Sequence, residues 1–499
     1  MKICVLQPDY SASDVDYGNW DPYRDLSTVL AGHTVDHVAL DKRFTFRDLK
    51  ALSTKGYDIF LNLCEGYPEW DVPGVDVVDA LERLNLPFTG PSSTYYDVPK
   101  TLMKYVAYAA GVKTPAHVLV TDDTPVDIAA AALRYPLFVK AAHAGDSRGI
   151  DARSLVHDRA ALDVQVAAMH AEFRDVLVEE YIAGRELTVL VVASSDPLGD
   201  PIALTPVEYI FPTPIQFKTY ANKTSDLHPS ANIPVLDEAL AARAKDAAIR
   251  IFRGFEAVGY GRMDFRVDAD GELFFLEVNF TCSVFYANGY EGSADYILKY
   301  DPMGQPGFAA HIIAEGIARH QRRQKSYVMR GNAIAGYGIF ATREIAASEV
   351  VFKGEERANR IATARHVRHS WRTDDQKIFR QYAYPLSDEV FLLWEPDPAN
   401  WAPQNHSCDP NTAFEGLNVV ARRPIARDAE LTLDYGAFLS DLSEPFTCHC
   451  NAAACRGTIV GTKGNSVTTR EQGAVTTREQ GASTAREQAA RASREQGLK

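Results

Sequence analysis

The pattern of hydrophobic and polar positions divides this 499-residue chain into two regions. Up to about residue 318, apolar runs such as KICVLQ, YDIFLNL and LFVK alternate with longer helix-like runs such as LDEALAARAKDAAIRIFRGF. That alternation predicts α/β architecture. From Tyr327 to about Tyr435, short β-like runs are separated by Gly and Pro, which predicts an irregular, mostly-β unit.

The changes in pattern predict a multidomain chain of six segments. They are an N-terminal α/β domain at 1–95, a second α/β (α+β) domain at 96–318, a polar linker at 319–326, a mostly-β domain at 327–443, a cysteine-rich segment at 444–460 and a tail at 461–499. From Ser466 the tail repeats an eight-residue unit, TTREQGAV and its variants, with almost no large apolar residues. Such a repeat cannot bury a core, so we predict disorder, with an interaction tail as the alternative.

The stretch GYGRMDFRVDADGELFFLEVN, residues 259–279, predicts a β-hairpin around the turn Asp268–Gly271. Because side chains alternate along a strand, Glu277 and Asn279 share a face, and Asp264 on the partner strand can lie opposite them. Two carboxylates and an amide are hard oxygen ligands of the kind Mg²⁺ prefers, with positions left for water and phosphate. The alternative is an ordinary solvated face of the hairpin.

Two other stretches carry groups suited to a nucleotide. Lys140 ends the apolar run LFVK and precedes a Gly-punctuated loop containing Ser147, where backbone N–H groups can approach phosphate. The run EEYIAGRE offers backbone atoms around Glu179–Ile182 for an adenine edge and the carboxylate of Glu186 for a ribose. Each signal is weak alone, since a loop such as AGDSRG is more often just a turn.

Composition narrows the expected partners. The formal net charge of −14 argues against binding to nucleic acid or to an anionic membrane. No apolar run approaches the roughly 18 residues needed to cross a bilayer, and the N-terminal run is too short for a signal peptide, so we predict a cytoplasmic protein.

Four of the seven cysteines lie late in the chain, three of them with the spacing C-x-C-x₄-C. In a cytosolic chain such a group is more often a metal site than a disulfide framework. Four thiolates are the number that a closed structural Zn²⁺ site requires. The predicted zinc ligands are Cys408, Cys448, Cys450 and Cys455.

Five stretches, in order over residues 1 to about 318, resemble the ATP-grasp superfamily, and within it the D-alanine–D-alanine ligases: FTGPSSTYYDVPKTLMK, PLFVKAAHAGDSRGI, VLVEEYIAGRELTV, TYANK and GRMDF…FLEVN. The resemblance implies an ATP- and Mg²⁺-dependent enzyme that phosphorylates a carboxylate and joins it to an amine. Its substrates would be amino acids or small peptides. The implied roles are phosphate contacts for Lys100, Lys140, Ser147 and Lys223, adenine binding for Glu179 and Ile182, ribose binding for Glu186, Mg²⁺ binding for Asp264, Glu277 and Asn279, and an acyl-phosphate contact for Arg262.

The chain departs from those ligases beside the implied metal ligands. The family follows the metal-binding Asn with a Pro-Gly turn, whereas this chain has the residues 280–283, Phe-Thr-Cys-Ser. The family's phosphate loop carries an acid and two serines, and here it is Ala-Gly-Asp-Ser at 144–147. The N-terminal Glu that orients the family's first alanine has no evident counterpart in DYSASDVDY. We therefore expect the nucleotide chemistry to be kept and the substrate to differ, with Cys282 as a buried structural residue.

Between about 327 and 460, the runs GYGIFATREI, NHSCDPN, ELTLDYG and CHCNAAAC resemble a SET domain with a post-SET segment, the fold of protein-lysine methyltransferases. The resemblance implies S-adenosyl-L-methionine as methyl donor and a lysine-type amine, or a protein carrying one, as acceptor. Tyr435 would be the catalytic tyrosine, and zinc would hold the post-SET segment beside the donor. The implied donor-binding residues are Gly336, Gly338, Phe340, Asn405 and His406.

These observations support three hypotheses. The first is a bifunctional enzyme, a carboxylate–amine ligase fused to a SET methyltransferase. The second is a SET methyltransferase whose ATP-grasp half is a non-catalytic nucleotide-binding scaffold. The third, which is weaker, is a SET half that binds protein without methylating it. The oligomeric state cannot be predicted from these patterns.

Overall fold

The computed structural model describes residues 1–11, 13, 17, 21–68, 70–143, 149–211, 217, 231–332, 336–357, 359–394, 404–439 and 444–461. They form two compact units, with the division between Arg323 and Gln324. The predicted fold class is confirmed, since the first unit is α/β (α+β) and the second is mostly β. The predictions for Ser147, for Lys223 and for the repeats from 462 onward lie outside the described residues.

The first unit begins with a parallel sheet of three strands in the order β2–β1–β3. The strands are β1 (Lys2–Pro8), β2 (Thr34–Leu40) and β3 (Ile59–Asn62). Two helices, α1 (Thr45–Leu52) and α2 (Val75–Arg83), pack on one face of this sheet against Cys4 and Leu6. The alternate residues Ile3 and Val5 face a second core, which includes the later helices α7 (Ser293–Tyr300) and α8 (Gly304–Arg323). Both faces are therefore buried, as the unbroken apolar run of β1 requires.

A four-stranded antiparallel sheet follows, in the order β4–β7–β5–β6. Its strands are β4 (His117–Val120), β5 (Leu137–Ala141), β6 (Leu155–Val156) and β7 (Val176–Glu180). The helices α4 (Val126–Ala132) and α5 (Arg159–His170) bury one side of it through Ala129, Leu162 and Val166.

The largest sheet runs β11–β10–β8–β12–β13, with the short β9 paired to β8. Its strands are β8 (Arg185–Val192), β9 (Ile202–Ala203), β10 (Val207–Tyr209), β11 (Asn232–Pro234), β12 (Tyr260–Val267) and β13 (Leu273–Asn279). The predicted hairpin is present as β12 and β13. Helices α3 (Lys100–Ala109) and α6 (Glu238–Gly254) cover one face, where Met263, Phe265 and Val278 are buried. The opposite face therefore receives the polar residues of the same strands.

The second unit consists of small sheets rather than one large one. Their strands are β14 (Tyr327–Asn332), β15 (Gly336–Ala341), β16 (Val350–Phe352), β17 (Asn359–Thr363), β18 (Tyr384–Pro385), β19 (Val390–Trp394), β20 (Asn405–His406), β21 (Thr412–Glu415), β22 (Asn418–Ala421), β23 (Thr432–Leu433), β24 (Phe446–Thr447) and β25 (Thr458–Ile459). The sheets are β14–β15, β16–β22–β21, β17–β19–β18, β20–β23 and β24–β25. Two helices, α9 (Ala364–Ser370) and α10 (Thr373–Tyr382), lie between β17 and β18 in the sequence.

Two features bear on the predicted boundaries. Helix α8 continues to Arg323, so the first five residues of the predicted linker at 319–326 are helical. Among the described residues, no helix is long and apolar enough to span a membrane.

Candidate active sites

The register of the hairpin sets the first candidate site. Asp264 lies directly opposite Glu277, and Arg262 lies opposite Asn279. On the other side of β12, Asp264 faces Thr188 of β8. Directly opposite residues of an antiparallel pair project to one face with Cβ atoms about 5 Å apart. The two predicted carboxylate ligands and the predicted amide ligand therefore share the face that points away from the α3–α6 core.

The hydrogen bonds of this face define how its charges are held. Thr188 Oγ1 donates to Asp264 Oδ1 at 2.7 Å, and the guanidinium of Arg262 lies 3.3 Å from the same carboxylate. Asn279 Oδ1 accepts from the backbone N–H of Thr281 at 2.9 Å and from its hydroxyl at 3.1 Å. Glu277 Oε2 lies 3.6 Å from Lys100 Nζ. The face thus brings together Lys100, Arg262, Asp264, Glu277 and Asn279.

A buried charge triad lies at the adjoining strands and at α3. Glu179 Oε1 is 2.6 Å from Lys140 Nζ, and Glu179 Oε2 is 2.6 Å from Lys104 Nζ. Burial opposes the charge of Glu179, but the two lysines lower the pKa of its carboxyl to about 2. Burial likewise opposes the charge of Lys140, yet Glu179 and then Glu277 raise its pKa. All three side chains are buried, so the triad leaves a net positive charge inside the unit.

Sequence reasoning missed Lys104. The signal was available, since Lys100 and Lys104 are four residues apart and residues at that spacing share a face of a helix. Burial lowers the pKa of Lys104 while Glu179 opposes that shift.

The predicted adenine and ribose residues are held by an arginine that sequence reasoning also missed. Arg266 Nη1 donates to the carbonyl oxygen of Ile182 at 2.8 Å, and Arg266 Nη2 lies 3.1 Å from Glu186 Oε2. The same guanidinium lies 4.9 Å from the ring centroid of Tyr181. Arg266 could have been found, because it is two residues beyond Asp264 and so projects to the same face of β12.

The first sheet contributes a polar cluster to the loop that follows β13. Arg24 Nη1 lies 3.3 Å from Glu65 Oε1 and donates to the carbonyl oxygen of Val284 at 3.1 Å. The hydroxyl of Ser283 donates to Glu65 Oε2. Burial raises the pKa of the neighbouring Cys282 thiol to about 12, and this side chain is almost inaccessible to solvent, as expected for a structural cysteine. Ser283, one of the residues that depart from the ligase pattern, is thus connected to Glu65, which follows β3 in the sequence.

In the second unit, a carboxylate organises the predicted donor residues. Asn405 Nδ2 donates to Glu430 Oε1 at 2.7 Å and to the carbonyl oxygen of Tyr337 at 2.8 Å. Asn332 Nδ2 donates to the same Glu430 oxygen at 2.7 Å. A Cβ atom at Gly338 would lie 2.3 Å from Glu430 Oε1, so this approach requires glycine. Glu430 begins the run ELTLDYG but had not been assigned a role.

Three more predicted residues of this unit are placed by local geometry. Gly336, which begins β15, has φ +83°, a backbone conformation that favours glycine. Phe340 packs under the guanidinium of Arg330, which lies 5.2 Å from its ring centroid. His406 Nδ1 accepts from the backbone N–H of Tyr435 at 3.1 Å.

Tyr435 begins a short 3₁₀ turn that ends at Ala437. Its hydroxyl donates to the carbonyl oxygen of Gln404 at 2.5 Å. Burial, with a smaller effect of Tyr382, raises the pKa of the phenol to about 12, so the hydroxyl stays protonated and can donate. The ring lies 5.6 Å from those of His406 and Phe438, measured between centroids. The predicted catalytic tyrosine is therefore fixed at both its backbone and its hydroxyl.

The four predicted zinc ligands converge. The sulfur atoms of Cys408, Cys448, Cys450 and Cys455 all lie within 4.8 Å of one another. Cys408 Sγ and Cys448 Sγ are 3.9 Å apart, and a tetrahedron with Zn–S bonds of about 2.3 Å has edges of about 3.8 Å. The donor set and spacing fit a structural Zn²⁺. Cys408 Sγ also lies 3.4 Å from His406 Nε2, which connects the cluster to the donor residues.

The two sites define an ATP-grasp unit and a SET domain in one chain, and comparison with known proteins agrees. The family described as D-ala D-ala ligase C-terminus matches residues 106–285, and the SET domain family matches residues 336–436. The D-alanine–D-alanine ligase of Bordetella petrii is 32% identical over 276 residues, which span 53% of this chain and 80% of that protein. The D-alanine–D-alanine ligase of Herminiimonas arsenicoxydans is 31% identical, over 55% of this chain and 83% of that protein.

The chain therefore belongs to the D-alanine–D-alanine ligase family, and it also carries a SET domain. Both predicted resemblances are confirmed. Among solved structures, the D-alanine–D-alanine ligase of Coxiella burnetii is similar with a TM-score of 0.47 and 19% identity, over 65% of this chain and 96% of that chain.

Proposed function

We propose that the first unit is an ATP- and Mg²⁺-dependent carboxylate–amine ligase. The observation that carries the proposal is that Arg262, Asp264 and Glu277 share one face of the β12–β13 hairpin, and that Lys100 Nζ of α3 lies 3.6 Å from Glu277. Phosphoryl transfer is catalysed mainly by positioning and by cations that stabilise the developing charge. The opposed carboxylates of Asp264 and Glu277 fit Mg²⁺, which takes one or two protein carboxylates and fills its other positions with water and phosphate.

The residues of this face have separate roles in the proposal. Lys100 and Lys140, with Ser147 and Lys223, hold the ATP phosphates, while Mg²⁺ neutralises phosphate charge when it is bound with the nucleotide. The Glu179–Ile182 segment and Glu186 hold the adenosine, with Arg266 fixing both through its contacts to Ile182 and Glu186.

The reaction proposed for this site has two steps. A substrate carboxylate attacks the terminal phosphorus of ATP, giving an acyl phosphate and releasing ADP. An amine then attacks the acyl carbon, an amide bond forms and inorganic phosphate leaves. Arg262 lies opposite Asn279 at the end of the hairpin, where its guanidinium would stabilise the acyl phosphate.

The test is ADP release by the full chain with ATP, MgCl₂ and paired amino acids, beginning with D-alanine because the relatives are named for it. We expect release that depends on a specific pair and yields a product lighter than the two reactants by one water. The residues 280–283, which replace the Pro-Gly turn of those ligases, support a substrate other than D-alanine. If no pair raises ADP release above the background hydrolysis of ATP, ligase activity is excluded for the substrates tested.

We propose that the second unit transfers a methyl group to a lysine-type amine. S-adenosyl-L-methionine would supply an electrophilic methyl, and Asn405, His406, Gly336, Gly338 and Phe340 would hold it. The Tyr435 hydroxyl donates to the backbone carbonyl oxygen of Gln404 and would orient the neutral amine. Zinc held by the four cysteines would keep the post-SET segment beside His406. Transfer of a labelled methyl group to a lysine peptide, and its loss in Tyr435→Phe, is the test.

Because both reactions use intracellular cosubstrates, we also propose cytoplasmic activity.

One observation favours the alternative, in which the first unit binds nucleotide without ligation. The amide oxygen of Asn279 accepts two hydrogen bonds from Thr281, and the carboxylate of Asp264 is held by Thr188 and Arg262. Both metal ligands would have to compete with these partners. Calorimetric binding of ATP and Mg²⁺, combined with no product from any substrate pair, would support the scaffold over the ligase.

A further inference from the structure

Arg456 follows the last of the four clustered cysteines and connects that cluster to the short 3₁₀ turn Tyr435–Ala437, which we call the tyrosine turn. The backbone N–H of Arg456 donates to Cys408 Sγ at 3.4 Å, and its guanidinium donates to the carboxylate of Asp434. Asp434 directly precedes the tyrosine turn. Arg456 therefore contacts a predicted zinc ligand with its backbone and the base of the turn with its side chain.

Asp434 caps the tyrosine turn at its first residue. Its backbone is extended, with φ −87° and ψ 103°, and its Oδ1 accepts from the backbone N–H of Gly436 at 3.0 Å. The guanidinium of Arg456 also lies close to the turn itself, since a Cβ atom at Gly436 would be 2.9 Å from Arg456 Nη1. A side chain at that position would displace the guanidinium. The charged end of Arg456 thus lies against both the cap and the backbone of the turn.

The charge of Asp434 is compensated by Arg456 rather than by His406. His406 Nδ1 lies 3.7 Å from Asp434 Oδ1, but this nitrogen accepts a hydrogen bond from the backbone N–H of Tyr435 at 3.1 Å. A ring nitrogen that accepts carries no proton, so it cannot also donate to the carboxylate. Among the described residues, the cation that pairs with Asp434 is therefore the guanidinium of Arg456.

We propose that Arg456 is a positioning residue for Tyr435, acting through its ion pair with Asp434 on the orientation of the tyrosine turn. The proposal rests on the methyltransferase function proposed above. The side chains of Asp434 and Arg456 are 25% and 44% exposed, so the pair should add little to the stability of the whole unit. Its effect should fall on the geometry of the turn, where a displacement of about 1 Å can lower a rate by up to about 100-fold.

The test compares Arg456→Gln and Arg456→Lys with the wild-type full chain, using the lysine peptide that the wild type methylates fastest. Glutamine removes the charge, lysine keeps a cation, and both variants keep the backbone N–H that donates to Cys408. We expect Arg456→Gln to lower kcat for methyl transfer about tenfold, with the KM for S-adenosyl-L-methionine and the zinc content unchanged. Arg456→Lys should recover most of that loss.

Arg423→Gln is the matched control. Arg423 also pairs with an acid beside a predicted zinc ligand, since its guanidinium lies 2.8 Å from Asp409 Oδ1 and Asp409 directly follows Cys408. This pair precedes β21 rather than the tyrosine turn. The variant should therefore keep the kcat of the wild type.

Hydrogen–deuterium exchange of the segment 431–439, measured without methyl donor, makes the test independent of activity. The backbone N–H groups of Tyr435 and Gly436 donate to His406 and Asp434, respectively. They should exchange about fivefold faster in Arg456→Gln, the change expected for the loss of one partly exposed ion pair, and at the wild-type rate in Arg423→Gln.

Three outcomes would overturn the proposal. Wild-type kcat and wild-type exchange in Arg456→Gln would show that the ion pair does not hold the turn. A lower kcat with unchanged exchange would show that Arg456 acts on a substrate directly. Zinc lost from Arg456→Gln, with no recovery in Arg456→Lys, would assign Arg456 to the cysteine cluster instead. If the wild-type chain methylated no lysine peptide, the proposed function would fail, and the exchange rates would still decide whether Arg456 holds the turn.

Discussion

The two candidate sites of this chain are built in different ways. In the first unit, Arg262 and Asp264 lie on one long strand and Glu277 and Asn279 on its neighbour, so the ladder register places Asp264 opposite Glu277 and Arg262 opposite Asn279. In the second unit, Asn405 and His406 form a strand of two residues, and Tyr435 begins a 3₁₀ turn. There, position depends on side-chain contacts and on four cysteines rather than on a ladder. We therefore expect substitutions in the first site to act mainly by removing a charge. Substitutions in the second site should act mainly by removing a contact that positions a site residue.

The largest effect is expected from the buried triad of the first unit. Lys104→Met removes one of the two cations that contact Glu179, and the loss of one buried charged hydrogen bond should cost about 1.5–3 kcal/mol because Lys140 still pairs with the carboxylate. Urea unfolding of the first unit should show this loss. Lys113→Met is the control, since Lys113 forms an exposed pair with Glu272 and should change the free energy of unfolding by less than about 1 kcal/mol. A cost for Lys104→Met no greater than that of the control would contradict the triad.

The same triad predicts a pH dependence. The folded-state pKa of Glu179 is about 2, below its unfolded value of about 4.3, so its ionisation stabilises the fold above that unfolded value. This stabilisation is lost as the pH falls from about 4.5 toward 2. Glu179→Gln should therefore show a shallower loss of stability than wild type over that range. If the free energy of unfolding fell equally with pH in the wild type and in Glu179→Gln, the triad would not be ionised as described.

The next prediction distinguishes the two sites, because one substitution should lower ADP release and leave methyl transfer unchanged. Glu277→Gln removes one charge of the proposed Mg²⁺ site and should lower substrate-dependent ADP release by about 100- to 1000-fold, the loss typical of one electrostatic group. Methyl transfer should not change. Glu272→Gln, which changes an exposed acid in the turn of the same hairpin, is the matched control. If Glu272→Gln lowered ADP release as much as Glu277→Gln, the effect would come from the hairpin rather than from the metal site.

The sequence could predict the residues that strand pairing places, but it could not predict those that distant side-chain contacts place. The shared face of Glu277 and Asn279 was predictable because these residues are two apart on one strand, but the register shift between Asp264 and Phe265 was not. Lys104 and Arg266 could be assigned to the correct face of their helix or strand from spacing alone, but their partners, like those of Glu430, lie far away in sequence. Lys104 meets a residue 75 positions later, and Glu430 meets Asn332, 98 positions earlier. A pattern within one run carries no information about such pairs.

The cysteine cluster was predictable for a different reason. One zinc ion requires four closely spaced ligands, so the number and spacing of the cysteines in the sequence already indicate that their sulfur atoms converge. Site residues that lie close together in the sequence could therefore be predicted from it. Site residues on different strands could be predicted only where the spacing along each strand determined their face.

Removing metal should affect only the second site, and by a smaller factor. Metal analysis of the purified chain should find one zinc per molecule, and Cys450→Ser should lower both zinc content and methyl transfer, the latter by about 10- to 100-fold, because the cluster contacts His406 through Cys408. ADP release should be unchanged. Cys64→Ser, a buried cysteine of the first unit, is the control and should retain zinc. Zinc retained by Cys450→Ser with full methyl transfer would contradict the four-thiolate site.

The smallest effect should come from a substitution of Glu65. This substitution tests whether the pairing of β12 and β13 is sufficient to position the residues of the first site. Glu65 is outside the sheet of β12 and β13, but it accepts from Ser283 and pairs with Arg24, which also holds the carbonyl of Val284. Glu65→Gln keeps the shape and removes the charge, so the loop after Asn279 should loosen while the register of the hairpin stays. The expected result is a KM for the amino acid substrate raised by about 3- to 10-fold, the effect of one charged hydrogen bond, with the KM for ATP unchanged. A rise in both KM values would mean that the loop also positions the nucleotide, and that the ladder does not act alone.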